Sequence, residues 1–425
     1  MKKQVNLFKK IIVAILIITI FCLVIFFSQY KLVETYENRV INNVEIIEDN
    51  DFLGRYVLTV NDVDVYIKNN GDLQKKGFIS KNIALELEND GNDYYRVKNI
   101  SNGGIDYYVK GKHLINIEEL VSYDNRYKNY IVFNLNAVTV NNTLFYDEHD
   151  NLVYSLDVGY SLPIIINDGD RYGVEFANRL LYIKKDDCDV VESNNTNVDN
   201  VKGIGVLNYH FFYDDSIRTE VEDCNQEICA SKTQFKMHLD YIKDNNFLTL
   251  KMSELEMYID GKIRLPKSVV ITIDDGWRAD LGVNMLNEYQ LNGTVFLVTS
   301  WYDSKSFVSE YVEVHSHSDN MHNVGDCPVG QGGGIQCLSK DVILNDLKLS
   351  SQKLGGTTVF CYPFYEYNDY SISVLKEAGY TMAFAGESRK SDNLVKVGID
   401  KYKLPRFVVV DYTTMNNFKK YINGI

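Results

Sequence analysis

The hydrophobic pattern changes character along the chain. Residues 11–27, from Ile11 to Phe27, form an apolar run without a charge. That length is at the short end of the roughly 17–25 residues that span a bilayer. From about residue 52 to 190 the pattern becomes short alternating stretches punctuated by Asn, Asp and Gly, as in Arg55-Tyr56-Val57-Leu58-Thr59-Val60 and Asp64-Val65-Tyr66-Ile67. Such alternation predicts small all-β barrels or sandwiches. After a polar stretch at 191–201, apolar strands alternate with helical periods. Strands are expected at 205–207, 268–273, 294–298, 312–315, 358–361 and 381–384. Phe235, Leu239 and Ile242 mark one helix face, Ser339 is a candidate N-cap, and a further helix is expected near 372–378. Strand–helix alternation predicts an α/β fold with a parallel sheet or a (β/α) barrel. Active sites in such folds lie at the carboxyl ends of the strands.

These changes divide the chain into a tip and anchor (1–30), a spacer (31–50), two β modules (51–122 and 123–190), a linker (191–202) and an α/β domain (203–425). Lys2, Lys3, Lys9 and Lys10 precede the apolar run, so the N-terminus is expected in the cytoplasm and the bulk outside. A single-pass membrane protein with an extracellular α/β domain follows. A cleaved signal peptide is the alternative, but no small-x-small site follows Phe27. Aromatic strand residues recur at Asp62–Ile67, Tyr94–Val97 and Tyr107–Lys110, then at Asn142–Tyr146, Tyr172–Phe176 and Leu181–Lys184. The spacing resembles two tandem bacterial SH3-like modules, which implies binding to cell-wall polymer or a plain stalk.

With 425 residues, 45% hydrophobic, 24% charged and 12% aromatic, the chain can build real cores. A formal net charge of −14 argues against nucleic acid, which needs basic patches. Of the seven cysteines, Cys22 lies in the anchor, whereas Cys224/Cys229 and Cys327/Cys337 are close pairs. Outside the cytoplasm such pairs read as disulfides. A cysteine zinc site is the weaker reading because no CxxC pair is present. Cys188 and Cys361 have no evident partner.

The strand 268–273 runs into Asp274-Asp275-Gly276. Neighbouring carboxylates repel, so a cation or a shared proton must relieve them. One acid on a metal and one acting as a base would divide the work; an ordinary Asp-Gly turn is the bland alternative. Three of the seven histidines fall in His315-Ser316-His317-Ser318-Asp319-Asn320-Met321-His322. Two imidazoles and a carboxylate form an open facial site for zinc or a related divalent ion.

Together these residues resemble the polysaccharide deacetylases of carbohydrate esterase family 4, the NodB-homology family. Its Thr-Phe-Asp-Asp-Gly motif reads Thr272-Ile273-Asp274-Asp275-Gly276 here. The resemblance implies a distorted (β/α) barrel of NodB type, Asp274 as catalytic base and Asp275 as a metal ligand. The spacing His317-x4-His322 is similar to the biofilm poly-N-acetylglucosamine deacetylase branch and implies these two histidines as ligands. His315 remains a rival, since it should share a strand face with His317. Leu207-Asn208-Tyr209-His210 resembles that branch's Leu-x-Tyr-His motif and implies His210 as general acid; a satisfied core histidine is the alternative. Cys361-Tyr362-Pro363-Phe364 resembles the third motif, normally Arg-x-Pro-Tyr, and implies the Phe364 backbone N–H as an oxyanion donor. Cys361 stands where the family has arginine, and Arg406 is the candidate replacement.

The resemblance, over about 203–410, implies metal-dependent N-deacetylation of hexosamines in a cell-wall or extracellular polysaccharide, with zinc, cobalt or nickel. O-deacetylation and a catalytically dead wall-binding anchor are the competing readings. Gly330-Gln331-Gly332-Gly333-Gly334 lacks the Lys-Ser/Thr of a phosphate loop and reads as a flexible loop beside the site.

Overall fold

The computed structural model describes residues 53–423, apart from the short segments 91–92, 103–104, 121–122, 141, 158, 195–197, 225–227 and 388–392. The expected anchor and spacer lie outside the described residues. Among the described residues no helix is long and apolar enough to cross a membrane. Contacts divide the chain into two units. One gathers residues up to Tyr123 with Thr139–Tyr160 and Phe176–Leu181; the other gathers Asp124–Val138, Ser161–Glu175 and Tyr182–Ile425.

The first unit is all antiparallel β. Val63–Asn69 pairs with both Asp72–Ile79 and Ile105–Lys110, and Tyr94–Asn102 pairs with both Ile105–Lys110 and Ala84–Asn89. The hairpin at 69–72 turns on Asn70 (φ 51°) and Gly71 (φ 91°), the Asn-Gly pair that a tight two-residue turn requires. Val57, Val65, Leu85 and Val109 are wholly buried, as the alternation predicts.

The second unit is built on seven barrel strands: β1 (Gly205–Tyr209), β2 (Ser268–Asp275), β3 (Gly293–Leu297), β4 (Val312–Ser316), β5 (Val359–Cys361), β6 (Met382–Glu387) and β7 (Leu404–Val408). Each pairs in parallel with the next, and β1 pairs with both β7 and β2, which closes the sheet. Every residue of β2 is buried, as expected of a strand covered on both faces. Helices α1 (Lys232–Asp244), α2 (Met252–Ile259), α3 (Ala279–Tyr289), α4 (Lys340–Lys353), α5 (Asp369–Glu377) and α6 (Met415–Asn423) connect or follow the strands. Phe235, Leu239 and Ile242 of α1 are wholly buried in one cluster with Val269, Ile271 and Ile273 of β2. Strand β7 and helices α2, α3 and α6 were not picked out by periodicity.

Segments 124–138 and 161–175 fold onto this second unit. Ile131 N–H donates to Arg264 O (2.8 Å) and Asn167 N–H to Lys262 O (2.8 Å). Buried Glu254 accepts from Arg126 Nε (2.7 Å), Arg126 Nη2 (2.5 Å) and Tyr130 OH (2.8 Å). The stretch 123–190 is thus shared between the two contact units.

Candidate active site

Strand alternation sends Val269, Ile271 and Ile273 toward the helices and Thr272 and Asp274 the other way. Asp275 ends β2 in the left-handed region, φ 71°, followed by Gly276 at φ 104°. A non-glycine residue there costs about 1–3 kcal/mol and persists where its surroundings overdetermine it. A Cβ at Gly276 would lie 2.6 Å from Leu297 Cδ1 and 2.9 Å from Tyr302 Cδ2.

The histidine-rich segment leaves β4 under tight control from α4. Asp346 accepts the backbone N–H of Asp319 and of Asn320, each at 2.7 Å. Ser316 Oγ and Ser350 Oγ are 2.7 Å apart. Thr299 OH (2.6 Å) and Lys353 Nζ (2.5 Å) both donate to Asp319 Oδ1. Burial pushes the Asp346 carboxyl up to about 6 despite its two N–H donors.

This scaffold brings three predicted ligands together. His317 Nε2 and His322 Nε2 each lie 3.2 Å from Asp275 Oδ1. That oxygen is buried without a hydrogen-bond partner, so the three atoms converge without bonding one another. His317 Nδ1 sits 2.8 Å from Cys361 O. A carbonyl only accepts, so Nδ1 carries the proton and Nε2 keeps its lone pair, the arrangement seen at metal-ligating histidines. Burial alone would raise Asp275; His317 and His322 outweigh it and hold the carboxyl well below the usual range. A buried, unbonded carboxylate oxygen beside two imidazole nitrogens fits a divalent cation.

His315 stays outside this group. Its Nδ1 is 2.6 Å from Thr357 Oγ1 and its Nε2 3.4 Å from Glu313 Oε1. It shares a strand face with His317, but two residues along a strand is a step of ~6.6 Å, so it lies one layer deeper. A second grouping, Asp274, His317 and Cys361, also clusters. It suits a cation poorly, because Arg406 already occupies both oxygens of Asp274. Burial also holds the Cys361 thiol protonated.

Asp274 and Arg406 form a buried pair, 1% and 0% exposed. Nη1 donates to Oδ1 at 2.7 Å and Nη2 to Oδ2 at 2.8 Å. Burial would raise the Asp274 carboxyl; the guanidinium outweighs it and lowers it. Arg406 Nη2 also reaches Cys361 Sγ at 3.0 Å. The cation that the family carries at position 361 thus arrives from β7, and the cysteine is its neighbour. His210 Nε2 lies 3.8 Å from Asp274 Oδ2. Burial is the main cause that lowers its pKa, opposed by Asp274 and Asp275. Phe364 sits in a turn after β5 at φ 56°, its ring 4.4 Å from that of His322.

Residues 262–383 match the family model described as polysaccharide deacetylase. The chain carries a polysaccharide deacetylase domain. That match agrees with the enzyme class read from the motifs. The matched segment holds Asp274, Asp275, His317, His322 and Phe364 of the deacetylase domain; His210 and Arg406 lie outside it. A Bacillus subtilis (strain 168) protein classed with the polysaccharide deacetylases, YxkH, is 25% identical over 169 residues, 37% of this chain. The match spans 58% of that relative's length, less than two thirds of it. A poly-beta-1,6-N-acetyl-D-glucosamine N-deacetylase of Staphylococcus aureus (strain MRSA252) is 25% identical over 240 residues, 48% of this chain and 78% of that protein. A solved de-N-acetylase from Aggregatibacter actinomycetemcomitans covers 51% of this chain and 99% of its own, at 22% identity and a TM-score of 0.43.

The deacetylase domain also contains groups that sequence reasoning missed. Asp346 offered no signal beyond its place on a helix. Tyr365 and Glu366 directly follow a motif that was noticed. The two close cysteine pairs, by contrast, were read as disulfides from the sequence, and Cys224–Cys229 and Cys327–Cys337 are bonded. The glycine-rich loop is tied down, because Glu366 accepts from Gln331 N–H (2.5 Å), Gly333 N–H (3.0 Å) and Gln336 Nε2 (3.0 Å).

Proposed function

We propose that the domain hydrolyses N-acetyl groups of hexosamine residues in a cell-wall or extracellular polysaccharide, releasing acetate and leaving a free amine. The observation that carries this reading is the meeting of Asp275, His317 and His322 beside an Asp274 held by Arg406. The name of the Staphylococcus aureus relative supports an N-acetylglucosamine polymer as the substrate class. Asp275, His317 and His322 would hold a divalent ion, zinc first and cobalt or nickel as alternatives, which would supply Lewis acidity toward the acetamide carbonyl and the attacking water.

The chain's own residues do the rest. Asp274, kept ionised by Arg406, takes the proton of the attacking water. The Phe364 N–H donates to the oxygen that gains charge as the carbonyl carbon becomes tetrahedral. His210, protonated, gives its proton to the departing amine as the C–N bond breaks, and the acetyl carbon leaves with the added oxygen. The apolar run Ile11–Phe27 with lysines before it supports anchoring at the cell membrane with the domain outside, and the β modules suit contact with wall polymer.

The test is acetate release from peptidoglycan fragments, poly-N-acetylglucosamine and chitin oligomers, with and without chelator, using O-acetylated oligomers as the contrast. Asp275→Asn and His317→Ala should each abolish activity and bound metal, measured on the purified variants by elemental analysis. Normal acetate release by either variant, or chelator-resistant turnover, overturns the reading.

A further inference from the structure

The turn after β5 puts two successive residues into the left-handed region, Phe364 at φ 56° and Tyr365 at φ 63°. Glycine adopts that backbone freely, yet position 365 carries an aromatic ring. Strand β6 makes room for it at Gly386, where a Cβ would collide with the Cβ of Tyr365. Two positions therefore accommodate one side chain, which points to what that side chain reaches.

The Tyr365 hydroxyl lies 2.8 Å from Asn208 Oδ1 and 3.3 Å from His210 Nε2. The orientation of the Asn208 amide follows from its other end, since Nδ2 donates to Tyr209 O at 3.4 Å. An amide oxygen only accepts, so the Tyr365 O–H must donate to Asn208. The phenol has one hydrogen. Its oxygen can then only accept from His210, which requires a hydrogen on Nε2. Burial keeps the phenol protonated far above neutral pH, so this direction of bonding does not reverse in the working range. His210 Nδ1 is buried without a partner and offers no competing anchor.

We propose that Tyr365, itself oriented by Asn208, is a positioning residue that fixes the His210 proton on Nε2, the nitrogen 3.8 Å from Asp274 Oδ2. This rests on the reading of His210 as the proton donor to the amine. The opposite tautomer would aim a lone pair at Tyr365 and Asp274 and bury the N–H against no acceptor. When the ring is doubly protonated the same contact becomes charge-assisted and strengthens. The groups that bear on the ring are Asp274 and Asp275, which favour its charge, and Arg406 and His317, which oppose it. Tyr365 Oη adds a neutral acceptor, and it acts on a defined nitrogen.

The experiment is Tyr365→Phe in the full chain, which keeps the ring and removes only the hydroxyl. Histidine 15N–1H spectra, with the His210 signal assigned by its loss in His210→Gln, should report the Nε2–H tautomer in the parent. In Tyr365→Phe they should report a shift toward Nδ1–H. In acetate release, kcat should fall about tenfold with KM nearly unchanged, a share of the 10²–10⁴ that positioned acid–base catalysis supplies. The alkaline limb of the pH profile should move to lower pH. Asn208→Ala should reproduce the effect, and the double variant should be no worse than either single one. An Nδ1–H signal in the parent, or an unchanged His210 signal in Tyr365→Phe, overturns the proposal. If the parent releases no acetate from any glycan, the functional reading fails instead, and the spectra still decide the tautomer.

Discussion

Replacing Arg406 by methionine removes the cation that faces Asp274 while keeping an extended side chain in the barrel. Both partners are at most 1% exposed, so water cannot take over the carboxylate. Two contacts at 2.7 and 2.8 Å are lost, and breaking a buried ion pair from one side costs about 3–5 kcal/mol. Urea unfolding measures this directly. The chain's two tryptophans, Trp277 and Trp301, both belong to the barrel unit, so their fluorescence reports that unit. The pH dependence supplies a sign. In the parent, Arg406 lowers the Asp274 carboxyl; that stabilisation is complete above the unfolded value of about 3.9 and is lost as pH falls through the lower folded value. In Arg406→Met burial, the largest cause, is opposed only by His317 and His210, and the carboxyl rises. The variant should then lose stability as pH rises from about 4 through that raised value. Asp274→Leu/Arg406→Met, with both charges gone, should be far more stable than the sum of the single variants implies. A loss below about 1 kcal/mol for Arg406→Met, with a pH slope parallel to the parent's, would refute the claim that this pair is buried and mutually dependent.

Two further substitutions probe the scaffold under the histidines. Asp346, raised to about 6, makes the fold less stable as pH rises between about 4 and 6, by roughly 2–3 kcal/mol in all. Asp346→Asn removes this titration, so the parent-minus-variant stability difference should fall as pH rises across that window, and one of the two backbone N–H groups at 319 and 320 is left without its acceptor. Parallel stability curves would contradict this. Gly276→Ala puts a Cβ against Leu297 and Tyr302 at φ 104°, and a loss of about 1–3 kcal/mol is expected from strain and overpacking. Metal content should fall with it because Asp275 is adjacent; unchanged stability and metal retention would count against the geometry of that turn.

The chemistry-bearing residues could be read from the chain because their spacing is local. Asp274-Asp275-Gly276 follows the mostly apolar stretch Val269–Ile273, and His317 and His322 follow the alternating stretch Val312-Glu313-Val314, so both fall at strand ends in any parallel arrangement. Choosing between His315 and His317 was not open to that reasoning, since alternation puts both on one face. The choice depended on how far the strand extends before Ser318 turns at φ 77°. Helices α2, α3 and α6 bury one face as α1 does, so their periodicity was present in the chain and went unread.

What the sequence determined by itself was the α/β alternation, the ordered set of motifs and the identity of the candidate ligands, all of which depend on residues near one another in the chain. What only the tertiary structure decided was which distant groups meet them. Arg406 reaches Asp274 across 132 positions, Tyr365 reaches His210 across 155, and Asp346 bolts down a loop 26 and 27 positions away. The physical reason is barrel closure: pairing β1 with both β7 and β2 converts neighbours in space into strangers in sequence, and a periodicity argument carries no information about that contact.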